Sequence, residues 1–306
     1  MSSLANTPDP TQRPPIDFNT RGLRLNFTIR KMTNNVVAGL AMLATALVLV
    51  PLAAILIYLF YKGFSSLNLD FFTKVPVPSG DPGGGMANSI VGSGIILALA
   101  SAMGIPVGIA AGVYLAEFGR GKMLGNAIRF TADVLNGVPS IVVGISMYAL
   151  IVKPQLHFSA FAGGVALAVM MVPTITRTTE EMLATVPHAI REAALGLGVP
   201  KWRTTLSVSL KTASPGIITG CMLAFARVAG ETAPLLFTAL GNEYMSYKVN
   251  SEIDALPLRI YKYANSPFDE WHRVAWAGSL VLIVMIMVSV TLVRIFASRG
   301  VLKGGN

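Results

Sequence analysis

Arg227 and Glu231 are opposite charges that stand within a long apolar run of this chain, four residues apart. One continuous helix would place both on one face, within pairing reach. Placing an arginine at mid-bilayer depth costs about 2.5–3.5 kcal/mol of free energy even on the insertion scale that gives the smallest penalty. A planar guanidinium grips oxyanions through two parallel hydrogen bonds. The pair therefore predicts a polar pathway for an oxyanion, and an ion pair that locks helix packing is the alternative.

Arg177 and Glu180 form a second charged pair, at the inner end of another apolar run. Their spacing of three again favours one helix face. We expect them at the cytoplasmic mouth of the same pathway, although an ordinary helix end at the membrane surface explains the spacing equally well. Asp133 and Glu117 lie near other span ends and are expected to be solvated. The three histidines show no ligand spacing, and no nucleophile has a base beside it, so the sequence predicts no catalytic site.

Six apolar runs must position these charges. The chain is 53% hydrophobic and 13% charged, with a mean hydropathy of +0.61, whereas soluble domains are about 25% charged. Each run reaches the roughly 17–25 residues that a helix needs to span a bilayer. The runs are approximately Val36–Tyr61, Ile90–Leu115, Val134–Val152, Phe158–Thr176, Ile217–Leu240 and Val274–Phe296. We predict an all-α integral membrane protein with six transmembrane helices.

The lysines and arginines predict the orientation of these spans. If the amino terminus is cytoplasmic, sixteen of them lie on the inside and seven on the outside, and Arg227 lies within a span. Because cytoplasmic loops carry the excess of positive charge, both termini are expected on the cytoplasmic side of a bacterial inner membrane. The same distribution suits anionic lipid and accounts for the net charge of +9 without nucleic acid.

The domain organisation follows from composition. Residues 1–34 are rich in Pro, Asn, Thr and Arg and are predicted to be a mostly disordered cytoplasmic tail. Residues 35–300 form one six-span domain, and residues 301–306 are a cytoplasmic end.

The segment Gly80–Gly85 lacks the Gly-Lys-Ser/Thr ending of a nucleotide-binding loop, so any use of ATP requires another subunit. The single cysteine, Cys221, excludes an intrachain disulfide.

Two glycine patterns predict local structure. Gly104, Gly108 and Gly112 recur every four residues and line one face of the second span, where small residues let helices approach closely. In the charged segment 177–215, Pro187 can open a helix that Gly198 stops. Pro200 can open a second helix. The expected product is a cytoplasmic helical hairpin, which either docks a partner or is merely a surface feature.

That hairpin resembles the cytoplasmic coupling loop of bacterial ABC importer permeases. The matching residues are Glu192, Ala193, Ala194, Gly198, Val208 and Leu210, and Lys211 departs from the proline of the family pattern. The stretch Arg227–Leu236, which contains Gly-Glu-Thr-Ala-Pro, is similar to the signature of phosphate-specific importer permeases of the PstA type. The segment Arg177–Glu181 is similar too.

The resemblance implies a type I permease fold and a set of partners. A PstC-type permease would pair with this chain, and two copies of a cytoplasmic ATPase would bind ATP and Mg²⁺. A periplasmic phosphate-binding protein would deliver the substrate. The chain itself is expected to hold no cofactor and to be no enzyme. Glu192, Ala193, Ala194 and Gly198 would couple it to the ATPase.

The resemblance also assigns Arg177, Glu180 and Arg227 to the phosphate path, whereas Glu231 joins them only on its position in the run. Two alternatives stay open. One is an importer permease for another oxyanion, sulfate or molybdate. The other is an ion-driven secondary transporter that needs no ATPase.

Overall fold

The computed structural model describes residues 21–81 and 83–303, and the side chains of residues 27, 29–81 and 83–295. Within these ranges the chain is helical, and its isolated β-bridge joins Leu240 to Ile253. The helices are α1 (Arg21–Phe64), α2 (Leu69–Thr73), α3 (Ala87–Val113), α4 (Met123–Gly137), α5 (Ser140–Met147), α6 (Lys153–Gln155), α7 (Ala160–Ala184), α8 (His188–Gly196), α9 (Lys201–Thr204), α10 (Leu210–Ala229), α11 (Ala233–Thr238), α12 (Leu256–Ala264) and α13 (Asp269–Lys303). Three π-helical turns extend α3, α5 and α9: Tyr114–Phe118, Tyr148–Val152 and Thr205–Ser209. The all-α prediction is confirmed.

The chain divides into two compact units, residues 1–58 and residues 59–306. The described part of the first unit is the long first part of α1, whose apolar side chains from residue 29 onward are exposed. Such a surface suits lipid as the solvent. The helix begins at Arg21, so residues 21–34 are helical where the sequence predicted a disordered tail. Leu and Arg favour helices and extend α1 beyond its apolar run. Residues 1–20 and 304–306 lie outside the described residues.

In the part of the chain that the structure describes, five helical segments are long and apolar enough to cross a membrane. They are Ile29–Phe64, Ala87–Phe118, Ala160–Ala184, Lys201–Ala229 and Asp269–Ile295. The third predicted span, Val134–Val152, falls on a helix pair bent by 107°, so it is not a straight helix. The bend lies at Gly137-Val138-Pro139, where Val138 is extended (φ −73°, ψ 130°). Proline disfavours helical geometry in the residue before it, which explains the break.

The fifth predicted span also ends early. The run Ile217–Leu240 was expected to be one helix, but α10 stops at Ala229 and a turn leads into α11. Pro234 occupies the first turn of α11. Because proline has no N–H for a carbonyl four residues earlier, a helix that continued from α10 would lose a hydrogen bond at Gly230. The outer part of this run is therefore a separate short helix.

Helix α7 lies at the centre of the second unit and packs closely against α3. A methyl group at Gly108 would lie 2.7 Å from Ile175 Cβ, and one at Gly112 would lie 2.5 Å from Thr179 Cβ. Gly104 faces α7 in the same way. The backbones therefore approach as closely as the sequence pattern predicted, and the packing role of the three glycines is confirmed.

Two glycines of α10 pack against the other side of α7. Gly216 and Gly220 of α10 lie against Met182 and Thr178 of α7. The order of these contacts shows that the two helices run antiparallel. With neighbours this close on two sides, α7 has a fixed rotation, and that rotation sets the direction of its charged side chains.

We expect Gly112→Ala to destabilise the protein, because the added methyl group meets Thr179 with no flexible side-chain end to move. Overpacking of this kind costs about 1–3 kcal/mol. Gly94→Ala is the matched control on the same helix, since nothing lies within 4 Å of its added methyl group. Thermal unfolding in detergent measures both variants. Equal midpoints for the two would contradict the close contact.

Candidate functional site

Arg177 on α7 is already held by a carboxylate. Its Nε donates to Asp133 Oδ1 and its Nη2 donates to Asp133 Oδ2, each at 3.0 Å. This is the two-pronged geometry that a guanidinium also offers to a phosphate. Asp133 lies on α4, so the pair joins two helices. The side chain is exposed as expected, but its pairing with Arg177 was not predicted. An anion that uses Arg177 must displace this carboxylate.

Glu180 continues the charged network on α7. Its Oε1 accepts from Arg129 Nε at 2.7 Å, and its Oε2 lies 3.6 Å from Arg177 Nη1. Arg129 also donates to the carbonyl of Leu115 at 3.3 Å. Asp133, Arg177, Glu180 and Arg129 thus form a chain of alternating charge between α4 and α7. The spacing of four between Arg129 and Asp133 was a signal for this face of α4 that the sequence interpretation missed.

Arg227 and Glu231 do not form the predicted pair. Arg227 lies in the last turn of α10, and Glu231 lies in the turn that follows. In the described part of the chain neither side chain has an ion pair or a hydrogen bond. The premise of one continuous helix was wrong, because α10 ends at Ala229. Arg227 is exposed and Glu231 is half-buried, so both charges are left for a group outside this chain.

The two arginines lie at different depths. Gly220 faces Thr178 across antiparallel helices, so Arg227 is level with a point on α7 near Met171. At 1.5 Å per residue, this point is about 9 Å from Arg177 along the axis. Arg227 lies near one end of α10, and Arg177 lies nearer the end of α7 that leads into the hairpin. Within the described residues, Arg177 is paired with a carboxylate and Arg227 is not.

The segment between α7 and α10 forms the predicted helical hairpin. Helix α8 ends at Gly196, and Gly198 follows with φ of +79°, a conformation that glycine adopts without strain. The amide of Val199 donates to the carbonyl of Ala194 at 3.2 Å and closes the helix end. Glu192 and Ala193 are exposed and Ala194 is half-buried. The side chain of Glu192 has no ion pair within the described residues, so this face is open to a docking partner.

Glu117, at the inner end of α3, is not solvated as expected. Its carboxylate is 9% exposed and lies 2.9 Å from Nη2 of Arg191 on α8. No sequence spacing predicts this pair, because the two residues are far apart along the chain and meet only through packing.

A buried ion pair organises the outer segment between α11 and α13. Arg259 Nε donates to Asp254 Oδ2 at 2.7 Å, and Ser89 of α3 donates to the same oxygen at 2.6 Å. Burial lowers the pKa of Arg259, but Asp254 outweighs it, and the pKa stands above its ordinary value. Burial raises the pKa of the Tyr263 hydroxyl beside it. The base of this outer segment is thus fixed to the start of α3.

The fold is that of a multi-pass membrane permease subunit with a helical hairpin between α7 and α10. Residues 104–300 match the family described as "Binding-protein-dependent transport system inner membrane component". The chain belongs to this family. Within the described residues, no group of His, Cys, Asp and Glu is placed to hold a metal ion.

Curated relatives are named as phosphate transport permeases. The chain is 44% identical to "Phosphate transport system permease protein PstA" of Yersinia pestis, over 88% of this chain and 92% of that protein. It is 41% identical to the protein of the same name in Pasteurella multocida, over 89% and 96%. A chain of the MetNI methionine ABC transporter, at 20% identity, superimposes with a TM-score of 0.55 over 72% of this chain and 98% of its own. That likeness shows the fold alone.

We expect Glu180→Gln to lower the thermal stability of the protein. The change leaves Arg129 without its carboxylate in a site where both side chains are mostly buried, and such a loss costs about 1–3 kcal/mol. Glu181→Gln is the matched control, since the neighbouring Glu181 is exposed and lies outside the network. Thermal unfolding of the two variants compares them, and an unchanged midpoint for Glu180→Gln would show that the network does not hold α4 to α7.

Proposed function

We propose that this chain is the permease subunit of an ATP-driven importer of inorganic phosphate and forms half of its translocation pathway. One observation carries the proposal. Arg227 presents an exposed guanidinium near the outer end of a membrane span, and it has no partner among the described residues. A charge in this place is costly unless a ligand or a second subunit meets it. The names of the curated relatives supply the substrate class.

The chemistry of the two arginines suits a doubly charged oxyanion. Arg227 can receive phosphate oxygens directly, because nothing in the described chain occupies it. Glu231, close by in sequence, can accept a hydrogen bond from a protonated phosphate oxygen. The anion then moves toward Arg177, where Asp133 competes for the same donors. Competition keeps binding weak at the inner site, and conduction requires that an ion also leaves.

The proposal includes partners that complete the machine. A related permease of the PstC type covers Arg227 and closes the pathway. Two copies of a cytoplasmic ATPase bind ATP and Mg²⁺ and hydrolyse the nucleotide, so this chain contributes no nucleotide site and no cofactor. A periplasmic phosphate-binding protein delivers the anion. Both termini lie in the cytoplasm, in accord with the distribution of lysine and arginine.

The hairpin is the proposed contact with the ATPase. The exposed carboxylate of Glu192 can fix the position of the helix on the ATPase. The small side chains of Ala193 and Ala194 let the helix enter a groove of the ATPase. Gly198 keeps the second arm folded back on the first. Closure of the ATPase dimer then pushes on the hairpin and rocks the membrane helices between inward-open and outward-open states.

We expect Arg227→Gln to abolish phosphate uptake while the complex still assembles, because only the free guanidinium is lost. The measurement is uptake of radiolabelled phosphate by cells that lack their own high-affinity permeases and receive this chain with its partners. Arg273→Gln is the control, since it removes an exposed outer charge. Full uptake by Arg227→Gln would remove Arg227 from the mechanism.

The same assay separates the substrates. Sulfate and molybdate are added as competitors, and inhibition by phosphate-like anions alone supports the proposal. Inhibition by sulfate or molybdate instead would make the chain a permease for that oxyanion. ATP-independent uptake would indicate a secondary transporter.

We expect Gly198→Ala to reduce the fraction of ATPase that co-purifies with the permease. A Cβ at this positive φ costs about 1–2 kcal/mol, so the hairpin loses its geometry. Gly196→Ala is the control two residues away, because Gly196 has ordinary helical geometry and open space around it. Pull-down from membranes gives the ratio of the subunits. Equal ATPase recovery with both variants would contradict a docking role for the hairpin.

A further inference from the structure

The inner end of α3 is contacted by both arms of the cytoplasmic hairpin. The contact lies at two adjacent residues, Glu117 and Phe118, which end the π-helical turn Tyr114–Phe118. Arg191 of α8 pairs with Glu117, and Lys201 Nζ of α9 lies 5.0 Å from the centre of the Phe118 ring. The turn Tyr114–Phe118 thus contacts both arms of the hairpin, the one before Gly198 and the one after it.

All three guanidinium nitrogens of Arg191 have partners, and one of them faces Glu117. Nη2 lies 2.9 Å from Glu117 Oε1 and donates to the Leu183 carbonyl at 2.6 Å. Nη1 donates to the Val186 carbonyl at 3.3 Å, and Nε donates to Ser209 Oγ at 3.2 Å. Arg191 and Glu117 are only 12% and 9% exposed. The pair is therefore shielded from water and salt, and it holds α8 to α3 and to the end of α7.

The π geometry connects the same turn to α4. The amide of Gly119 donates to Tyr114 at 2.7 Å, whereas in an α-helix it would bond to Leu115. The Leu115 carbonyl is therefore available to Arg129, which donates to it at 3.3 Å and is bound to Glu180 of α7. Three elements, α4, α7 and the hairpin, thus meet at the turn that ends α3.

We propose that Glu117 is a positioning residue that passes movement of the hairpin to the membrane helices. A force on α8 reaches α3 through the Arg191–Glu117 pair, because no other charged group of α3 faces the hairpin in the described structure. The backbones of α3 and α7 are in close contact at the glycines, so the two helices move together. The displacement arrives at Arg177 and at the Asp133 carboxylate that occupies it. This inference rests on the proposed coupling to an ATPase.

The first test is the stoichiometry of transport. The complete importer is reconstituted in proteoliposomes, and phosphate uptake and ATP hydrolysis are measured together. We expect Glu117→Gln to lower the phosphate moved per ATP by about tenfold, in the range of a typical coupling energy, while hydrolysis changes by less than about twofold. Glu117→Asp, which keeps the charge, restores part of the ratio. Glu181→Gln, a matched exposed carboxylate on the inner side, leaves the ratio unchanged.

Lys201→Gln tests the second contact on a surface position whose loss does not threaten folding. We expect a smaller fall in the ratio, about threefold. An unchanged ratio in both Glu117→Gln and Lys201→Gln would overturn the proposal. So would equal loss of hydrolysis and uptake together with release of the ATPase, since that pattern belongs to a merely structural contact.

A second readout does not depend on the transported anion. Arg120→Cys, in a Cys221→Ser background, places a single thiol just beyond the turn, and its labelling rate is measured with and without ATP. We expect ATP to change this rate by about tenfold in the parent and to leave it unchanged in Glu117→Gln. The same response in both would overturn the inference. Absence of phosphate uptake by the parent complex, with the labelling response intact, would instead overturn the proposed substrate.

Discussion

The close approach of α3 and α10 to α7 is the constraint on which the rest of the second unit depends. Gly112 and Gly220 leave no room for a side chain at these crossings. In a bilayer, helices gain little from burying apolar surface, so close van der Waals packing carries much of their association. Because α7 cannot rotate between two such faces, Arg177 and Glu180 point toward α4, and the charged chain with Asp133 and Arg129 follows from backbone packing.

Charge in this chain is distributed between groups that are satisfied internally and groups that are not. Arg177, Arg191 and Arg259 each meet a carboxylate of the same chain. The pairs of Arg191 and Arg259 are shielded from solvent, and breaking them is costly because a buried charge is then left without a partner. Arg227 has no such partner in the described residues. The contrast separates arginines that hold helices together from Arg227, which is left available to a group outside the described residues.

The sequence predicts the structure correctly where a few neighbouring residues determine it. The glycine spacing of α3 and the stop at Gly198 were predicted, because each depends on a few neighbouring residues. It failed at Gly137–Pro139 and at Gly230–Pro234, where the continuity of the apolar run outweighed the local signals of a helix end. The pair between Asp133 and Arg177 spans 44 residues and exists only after α4 has packed on α7. No spacing rule contains that information.

The exposed guanidinium of Arg227 also affects the life of the chain before assembly. A newly inserted copy without its neighbours holds an uncompensated charge near the end of a membrane span, which is costly where neither water nor a partner meets it. Association with a subunit that shields this group relieves the cost. An orphan copy is thus the less stable species. Balanced synthesis of this chain and its neighbouring subunit is then favoured by one exposed side chain.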